Sequence, residues 1–258
     1  MHKNIFVRGI NPNEMVMIDF DCAISEIVKL DYRTADVFKK YQLSYCCSGS
    51  VPLKSACEVK GLDLELLSVE LKDATRNLAL PNNLPFDEWN IDFLIDFISN
   101  IHHAYIYRVI SSVLSSLESF TLGHQTKYPE LIGVTELFRK LTELLTFHNR
   151  YEDEIIFPYI KQIDLAYRRA ETYGNLFVKT LRKPLHKVEK EHLQIQKMLD
   201  DLQNGTKQYT PPENACLNYQ VIFKKLEEVQ INLLQHKFLE QVILFPKAIA
   251  IEQSLLQV

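Results

Sequence analysis

Glycine is scarce in this chain, seven in 258 residues. No stretch sustains the apolar–polar alternation of half-buried strands either; apolar residues recur instead at spacings of three and four, the helical period. These absences exclude a sheet-rich, turn-rich fold and point to an all-α protein. No apolar run approaches the roughly 18 residues of a membrane span, and the start, Met1-His2-Lys3-Asn4-Ile5-Phe6, lacks the apolar core of a secretory signal. An excess of one charge is missing too. Lys and Arg total 29 against 33 Asp and Glu, a net −4, which gives no electrostatic footprint for nucleic acid. Five cysteines, two of them adjacent, do not make a secreted disulfide framework, so a reducing cytoplasm is expected. With 47% hydrophobic and 24% charged residues, the chain has an ordinary soluble composition and length for one or two domains.

What is present is a repeat. His148-Asn149-Arg150-Tyr151-Glu152-Asp153-Glu154-Ile155-Ile156-Phe157-Pro158 returns 88 residues later as His236-Lys237-Phe238-Leu239-Glu240-Gln241-Val242-Ile243-Leu244-Phe245-Pro246. The shared pattern is H-x3-E-x2-I-[IL]-F-P. His and Glu at i and i+4 are neighbours on one helix face. A second pair follows the same offset: His103 and His192 are 89 residues apart and precede His148 and His236 by 45 and 44. One helical hairpin is therefore written twice, each copy giving His, then His-x3-Glu. Four imidazoles and two carboxylates converging in a four-helix bundle make a site for two metal ions. The competing reading is coincidence between two amphipathic helices.

The donor set decides the metal class. Carboxylates with imidazoles and without thiolates suit iron or manganese; zinc stays open on ligand type alone. Glu152 and Glu240 each bridging two ions, with two histidines per ion, would leave open positions for an oxo or hydroxo bridge and for dioxygen, nitric oxide or peroxide. Of the other histidines, His102 is expected to be a surface or packing residue, since neighbours on a helix point about 100° apart. His186 is read as solvated, and His124 as a loop residue beside Gly123. Glu189 forms Glu-x-x-His with His192, but only once, and is read as a supporting or surface carboxylate.

The clearest break is Pro81-Asn82-Asn83-Leu84-Pro85, which no helix continues through. It divides a small helical domain, 16–80, from a bundle, 86–252. Helices are expected at Ala23–Leu30, Thr34–Tyr41, Pro52–Lys60 and Asp63–Asn77, then at about 87–119, 130–168, 172–203 and 213–252 in antiparallel order. Pro158 and Pro246 are each expected to end or kink a helix. In the small domain, Cys46 and Cys47 are adjacent. Their Cα atoms, about 3.8 Å apart across a trans peptide, fall short of the usual disulfide range, so a bond between them would be strained and easily reduced. The pair reads either as reactive thiols or soft iron ligands ahead of a helix start, or as two small buried hydrophobes. Cys22, Cys57 and Cys216 are read as packing residues.

Over about 20–252 the chain resembles the repair-of-iron-centres family, haemerythrin-like di-iron proteins implicated in restoring damaged iron–sulfur clusters. The segment Leu94–Tyr105 around His103 is similar to that family's first ligand helix, and His148 with Glu152 to its second motif. Pro184-Leu185-x-x-Val188-x-x-Glu191-His192 resembles the third, and His236 with Glu240 the fourth. Asn214-Ala215-Cys216 looks like the segment before the last helix. Ala35–Tyr41, Tyr45-Cys46-Cys47 and Lys60-Gly61-Leu62-Asp63 carry the likeness of the amino-terminal part. Two cysteines and two glycines are usual there; this chain has Cys46-Cys47-Ser48-Gly49. The resemblance implies two non-haem irons held by His103, His148, Glu152, His192, His236 and Glu240, and redox or partner-facing thiols at Cys46 and Cys47. It further implies damaged iron–sulfur proteins or an assembly scaffold as partners, nitric oxide reduction or iron delivery as the activity, and a homodimer. An oxygen or nitric oxide carrier or sensor is the alternative function, and a bundle clipped by zinc the third.

Overall fold

The computed structural model describes residues 19–46, 49–76, 84–170 and 181–256. Among them, regular structure is helical throughout, apart from one isolated bridge between Ala23 and Pro52. The all-α expectation holds. None of these helices is long and apolar enough to cross a membrane. The chain forms two compact units, one of Met1–Leu84 with Glu213–Val221, the other of Pro85–Pro212 with Ile222–Val258.

The first unit contains α1 (Ile24–Leu30), α2 (Thr34–Lys40), α3 (Leu53–Lys60) and α4 (Leu64–Ala74). Local chemistry sets their ends. Gly61 closes α3 in the left-handed region, φ 63°, where the missing Cβ removes the steric cost. Asp63 then opens α4, its carboxylate accepting the Glu65 and Leu66 backbone N–H groups at 2.9 and 3.1 Å. Ile24, Val28, Phe38, Leu53, Leu67 and Leu71 form the core, with Val221 contributed from the later stretch and Leu217 packed against it. Gly49 is fixed by a close backbone approach: a Cβ there would lie 2.3 Å from the Tyr45 carbonyl oxygen. Ser48, the departure from the two-glycine pattern, lies outside the described residues, as do Cys47 and 81–83 of the expected linker.

The second unit is built on four long helices. Helix α5 (91–124) runs through Ile91–Phe97, Ile98–His103 and Ala104–His124; α6 (130–168) through Glu130–Tyr151, Glu152–Ile156 and Phe157–Arg168. Helix α7 is Arg182–Gly205, and α8 (217–256) runs through Leu217–Phe238, Leu239–Leu244 and Phe245–Leu256. The expected start of the third bundle helix falls in 171–180, outside the described residues. His124 is the last residue of α5, its Nδ1 2.9 Å from the Phe120 carbonyl, in place of the expected loop position.

In α5, α6 and α8 the middle segment is a π turn, with i→i+5 bonding. Of the two outcomes expected for the prolines, ending the helix is the one the structure excludes. Pro158 and Pro246 have no N–H to give to the carbonyl four residues back, and each stands just past a π turn, which absorbs the missing bond within a continuing helix. The I-[IL]-F-P tail is thus the exit of a widened turn. On one side, and reaching into the turns themselves, Leu94, Ile98, Ile156, Phe157, Leu244 and Phe245 share a buried cluster. On the other, Ile110, Leu117, Phe138, Leu145, Leu199, Val229 and Leu233 are buried. A fully buried side chain of this size contributes about 1.5–3 kcal/mol, so both ends are firmly packed and the layer between them can be polar.

Two glycine substitutions should have opposite signs. Gly49→Ala should destabilise the protein by about 1–3 kcal/mol through overpacking. Gly133→Ala, at an exposed position of α6 with no neighbour within 4 Å, should stabilise it by about 0.5–1 kcal/mol through helix propensity. Denaturant midpoints of the two variants against the parent check this.

Candidate metal centre

The polar layer contains His103 on α5, His148 and Glu152 on α6, His192 on α7, and His236 and Glu240 on α8. Both glutamates are fully buried, and none of the four histidines is more than 2% exposed. The six expected residues fall into two sets of four, His103–Glu152–His236–Glu240 and His148–Glu152–His192–Glu240, whose donor atoms lie within 4.8 Å of one another. The glutamates belong to both sets. Glu152 turns Oε2 to His103 and His236 at 3.4 and 3.6 Å, and Oε1 to His148 and His192 at 3.4 and 3.7 Å. Glu240 turns Oε1 to His236 at 2.8 Å and Oε2 to His192 at 3.2 Å. Each carboxylate therefore presents one oxygen to each set, the arrangement of a bridge. Histidine pairing, which the spacing leaves open, is His103 with His236 and His148 with His192, their Nε2 atoms 3.0 Å apart in each pair.

Two further carboxylates fix the rings. His103 Nδ1 lies 2.8 Å from Asp153 Oδ1, and His148 Nδ1 lies 2.9 Å from Glu191 Oε2. Donation of Nδ1–H to a carboxylate leaves the Nε2 lone pair bare and aimed inward, the tautomer that ligates a cation. Asp153 is itself held by Ser99 Oγ at 2.9 Å and Tyr107 Oη at 3.2 Å. Glu189, read as a supporting or surface carboxylate, takes the surface alternative: it is exposed and lies 3.6 Å from the exposed His186. Spacing gives Asp153 and Glu191 no role. Their only sequence signal is adjacency to Glu152 and His192.

Of its two readings, surface or packing, His102 takes the packing one. It is 3% exposed, lies beside Asn232, and is stacked on His236 with centroids 6.0 Å apart and planes 14° apart. The 100° argument holds for an α-helix; His102 and His103 lie in the π turn of α5, where the wider turn buries both. Burial pushes the His102 ring down to about 4, with His236 adding to the effect, so it packs as a neutral imidazole.

Burial also opposes charge at His236, but the Glu240 and Glu152 carboxylates overcome it and raise the ring to about 10. Glu240 is held well below the carboxylate range, its His neighbours outweighing burial, and Glu152 is lowered in the same way. All four glutamate oxygens lie buried without a hydrogen bond, although ring nitrogens stand close by. These are close approaches without hydrogen-bond alignment. We take them as donors converging on common points, because nitrogen lone pairs and carboxylate oxygens all face the same space. The residues fit two cations. Two divalent ions carry four positive charges, which Glu152, Glu240, Asp153 and Glu191 balance.

A small cavity of about 10 Å³ adjoins this layer, room for one water or a diatomic molecule. His148, His192 and His236 form one wall, and Leu145, Ile195, Leu199 and Leu233 the apolar remainder. At its side Lys237 donates to Gln196 Oε1 at 2.7 Å.

The cysteines lie elsewhere. Cys46 is half-buried in the first unit and belongs to neither set. Cys57 is buried and Cys22 half-buried against the core of that unit, in line with packing roles.

The family model of the Hemerythrin HHE cation binding domain matches residues 100–248, a span that contains all six converging residues. The chain belongs to the hemerythrin HHE family. A second model, ScdA_N, a domain of unknown function, matches residues 20–75. The chain is 26% identical over 238 residues to the iron-sulfur cluster repair protein ScdA of Staphylococcus haemolyticus, covering 90% of this chain and 99% of that protein. It is 27% identical over 230 residues to the iron-sulfur cluster repair protein YtfE of Escherichia coli O157:H7, covering 89% and 97%.

The ligand layer is open to two tests. Asp153→Asn and Glu191→Gln should each weaken metal retention by about 10–100-fold, whereas Glu189→Gln should leave it unchanged; competition with a chelator measures this. Proton linkage supplies the other. His236 is raised to about 10, so below that pH a cation must displace its proton, and affinity should fall as pH falls. About tenfold weaker binding at pH 6.5 than at pH 7.5, with proton release on loading in weak buffer, is expected for one displaced proton.

Proposed function

We propose that this protein repairs iron–sulfur clusters damaged by nitrosative or oxidative stress, using two non-haem irons that share an oxo or hydroxo bridge. The observation that carries the reading is the double set of buried donors in which Glu152 and Glu240 each face both histidine pairs. The names of the two full-length relatives, both iron-sulfur cluster repair proteins, support the biological role. In this reading His103 and His236 hold one iron, His148 and His192 the other, and the glutamates bridge. Iron in such a site supplies open coordination positions and one-electron steps between ferrous and ferric states. The protein's own residues orient the donors through Asp153 and Glu191, keep bulk water out with the apolar layers on either side, and admit a small molecule by the cavity beside His148, His192 and His236.

The reading extends to iron delivery or nitric oxide reduction as the activity, and to damaged iron–sulfur proteins or an assembly scaffold as partners. A reducing cytoplasm and a homodimer complete it. A second reading, a carrier or sensor of dioxygen or nitric oxide, is favoured by the diatomic-sized cavity alone. The thiol-bearing first unit favours repair, since gas binding at the bundle requires no thiol.

Protein purified without added metal, or reconstituted with ferrous iron, should hold about two irons per chain and show the near-ultraviolet absorption of an oxygen-bridged diferric centre. It should also restore activity to a nitric-oxide-damaged iron–sulfur enzyme, and Glu152→Ala or Glu240→Ala should lose both properties. A single tightly held zinc would overturn the di-iron assignment; two irons without any repair would favour the carrier.

A further inference from the structure

Sequence gives Cys216 a packing role, and its surroundings add a second thiol beside it. Cys216 sits immediately before Leu217, the first residue of α8, in the stretch Glu213–Val221 that belongs to the first unit. Its thiol lies beside the thiol of Cys46, from a distant part of the chain, and the backbone N–H groups of Asn218 and Tyr219 stand next to its sulfur. Neither cysteine is in a disulfide, and both are half-buried, unlike Cys57 in the core beneath them.

The surrounding structure holds the two sulfurs together without a covalent link. Tyr45 Oη donates to Asn218 Oδ1 at 2.8 Å, joining the residue before one cysteine to a residue just after the other. The tyrosine is enclosed beside both thiols: burial, with Asp36, Cys46 and Cys216 adding to it, raises its hydroxyl to about 12. Leu217 and Val221 pack on the first unit's core from the Cys216 side. On the Cys46 side, Gly49 presses its backbone on the Tyr45 carbonyl. Two neighbouring thiols, both half-buried, with backbone N–H groups from a helix start beside one of them, are what thiol–disulfide exchange requires.

We propose that Cys46 and Cys216 form a redox-active dithiol that reduces an external disulfide by closing a disulfide of its own. Burial keeps the proton on Cys216, so the exchange opens at Cys46. The Cys46 thiol gives its proton to water, and its thiolate attacks one sulfur of the external disulfide. That S–S bond breaks, half of the reagent leaves as a thiolate and is protonated, and a mixed disulfide stays on Cys46. Cys216 then gives its proton to water, attacks Cys46 Sγ, and expels the second half, which is protonated in turn. Two electrons pass to the external disulfide, which ends as two thiols. Cys47 is not needed: its bond to Cys46 would join Cα atoms about 3.8 Å apart, short of the disulfide range. This exchange lies beyond the repair reading and does not depend on metal.

Full-length protein, fully reduced, is exposed to oxidised glutathione, its free thiols are counted in denaturant, and its linkage is mapped by tryptic mass spectrometry. The five thiols should fall to three, with peptide 41–54 joined to peptide 208–224, and dithiothreitol should restore all five. Cys47→Ser should still lose two thiols. Cys216→Ser should instead keep a glutathione adduct on Cys46. Retention of five thiols, a Cys46–Cys47 link, or loss of the closure in Cys47→Ser would each overturn the proposal. Wild-type mapping decides the matter even where a variant folds poorly, and iron content measured on the same samples keeps this result separate from that of the di-iron reading.

Discussion

Two carboxylates buried at one level of the bundle are the constraint on which the rest depends. Removing one unpaired carboxylate from water costs several kcal/mol, and Glu152 and Glu240 are both fully buried in the same layer. Only positive charge supplied at that level offsets the cost. The four histidines come one from each long helix, so the helices must meet in a single register for the charge to be compensated. Packing above and below supplies the apolar free energy, while the polar layer specifies which residues stand opposite one another. Among the chain's own groups, His236, held protonated by the glutamates, supplies part of that charge.

What the sequence discloses and what it hides follow from the range of each relation. His-x3-Glu is a relation within one turn of one helix, so both copies are legible, and the 44- and 45-residue offsets add His103 and His192. Pairing of His103 with His236 is a relation between α5 and α8, which spacing cannot encode and packing decides. Asp153 and Glu191 escape notice because a carboxylate beside a ligand in sequence is ordinarily turned away from the ligand's own contacts. Each of them serves a histidine on a different helix. For His102 the sequence leaves surface and packing both open, because its burial depends on a π turn that has no strong compositional mark. Cys216 is hidden for the same reason of range, its partner Cys46 lying in a distant part of the chain.

The chain also separates its donors by hardness. Imidazoles and carboxylates fill the buried layer of the bundle, and among the described residues no thiol joins either donor set; cysteines at 46 and 216 are grouped in the other unit. A soft ligand in the bundle would favour copper or zinc over iron, so segregation protects the metal preference of the layer. It also leaves the thiols free for exchange chemistry that a bound cation would suppress.

The π turns have a consequence for how this architecture tolerates change. Each α-helical residue advances the face by about 100°, and a widened turn inserts a phase slip of about one residue. In α5, α6 and α8 the apolar stripe entering the ligand layer and the stripe leaving it are therefore threads of different phase, cut on the same rod. Helix α7, with no such turn among its described residues, keeps a single thread. The slips isolate the two ends of the bundle from each other. The sequence on one side can drift in its apolar pattern without forcing the other to follow, so long as the widened turn holds the joint, with Pro158 and Pro246 marking it in α6 and α8.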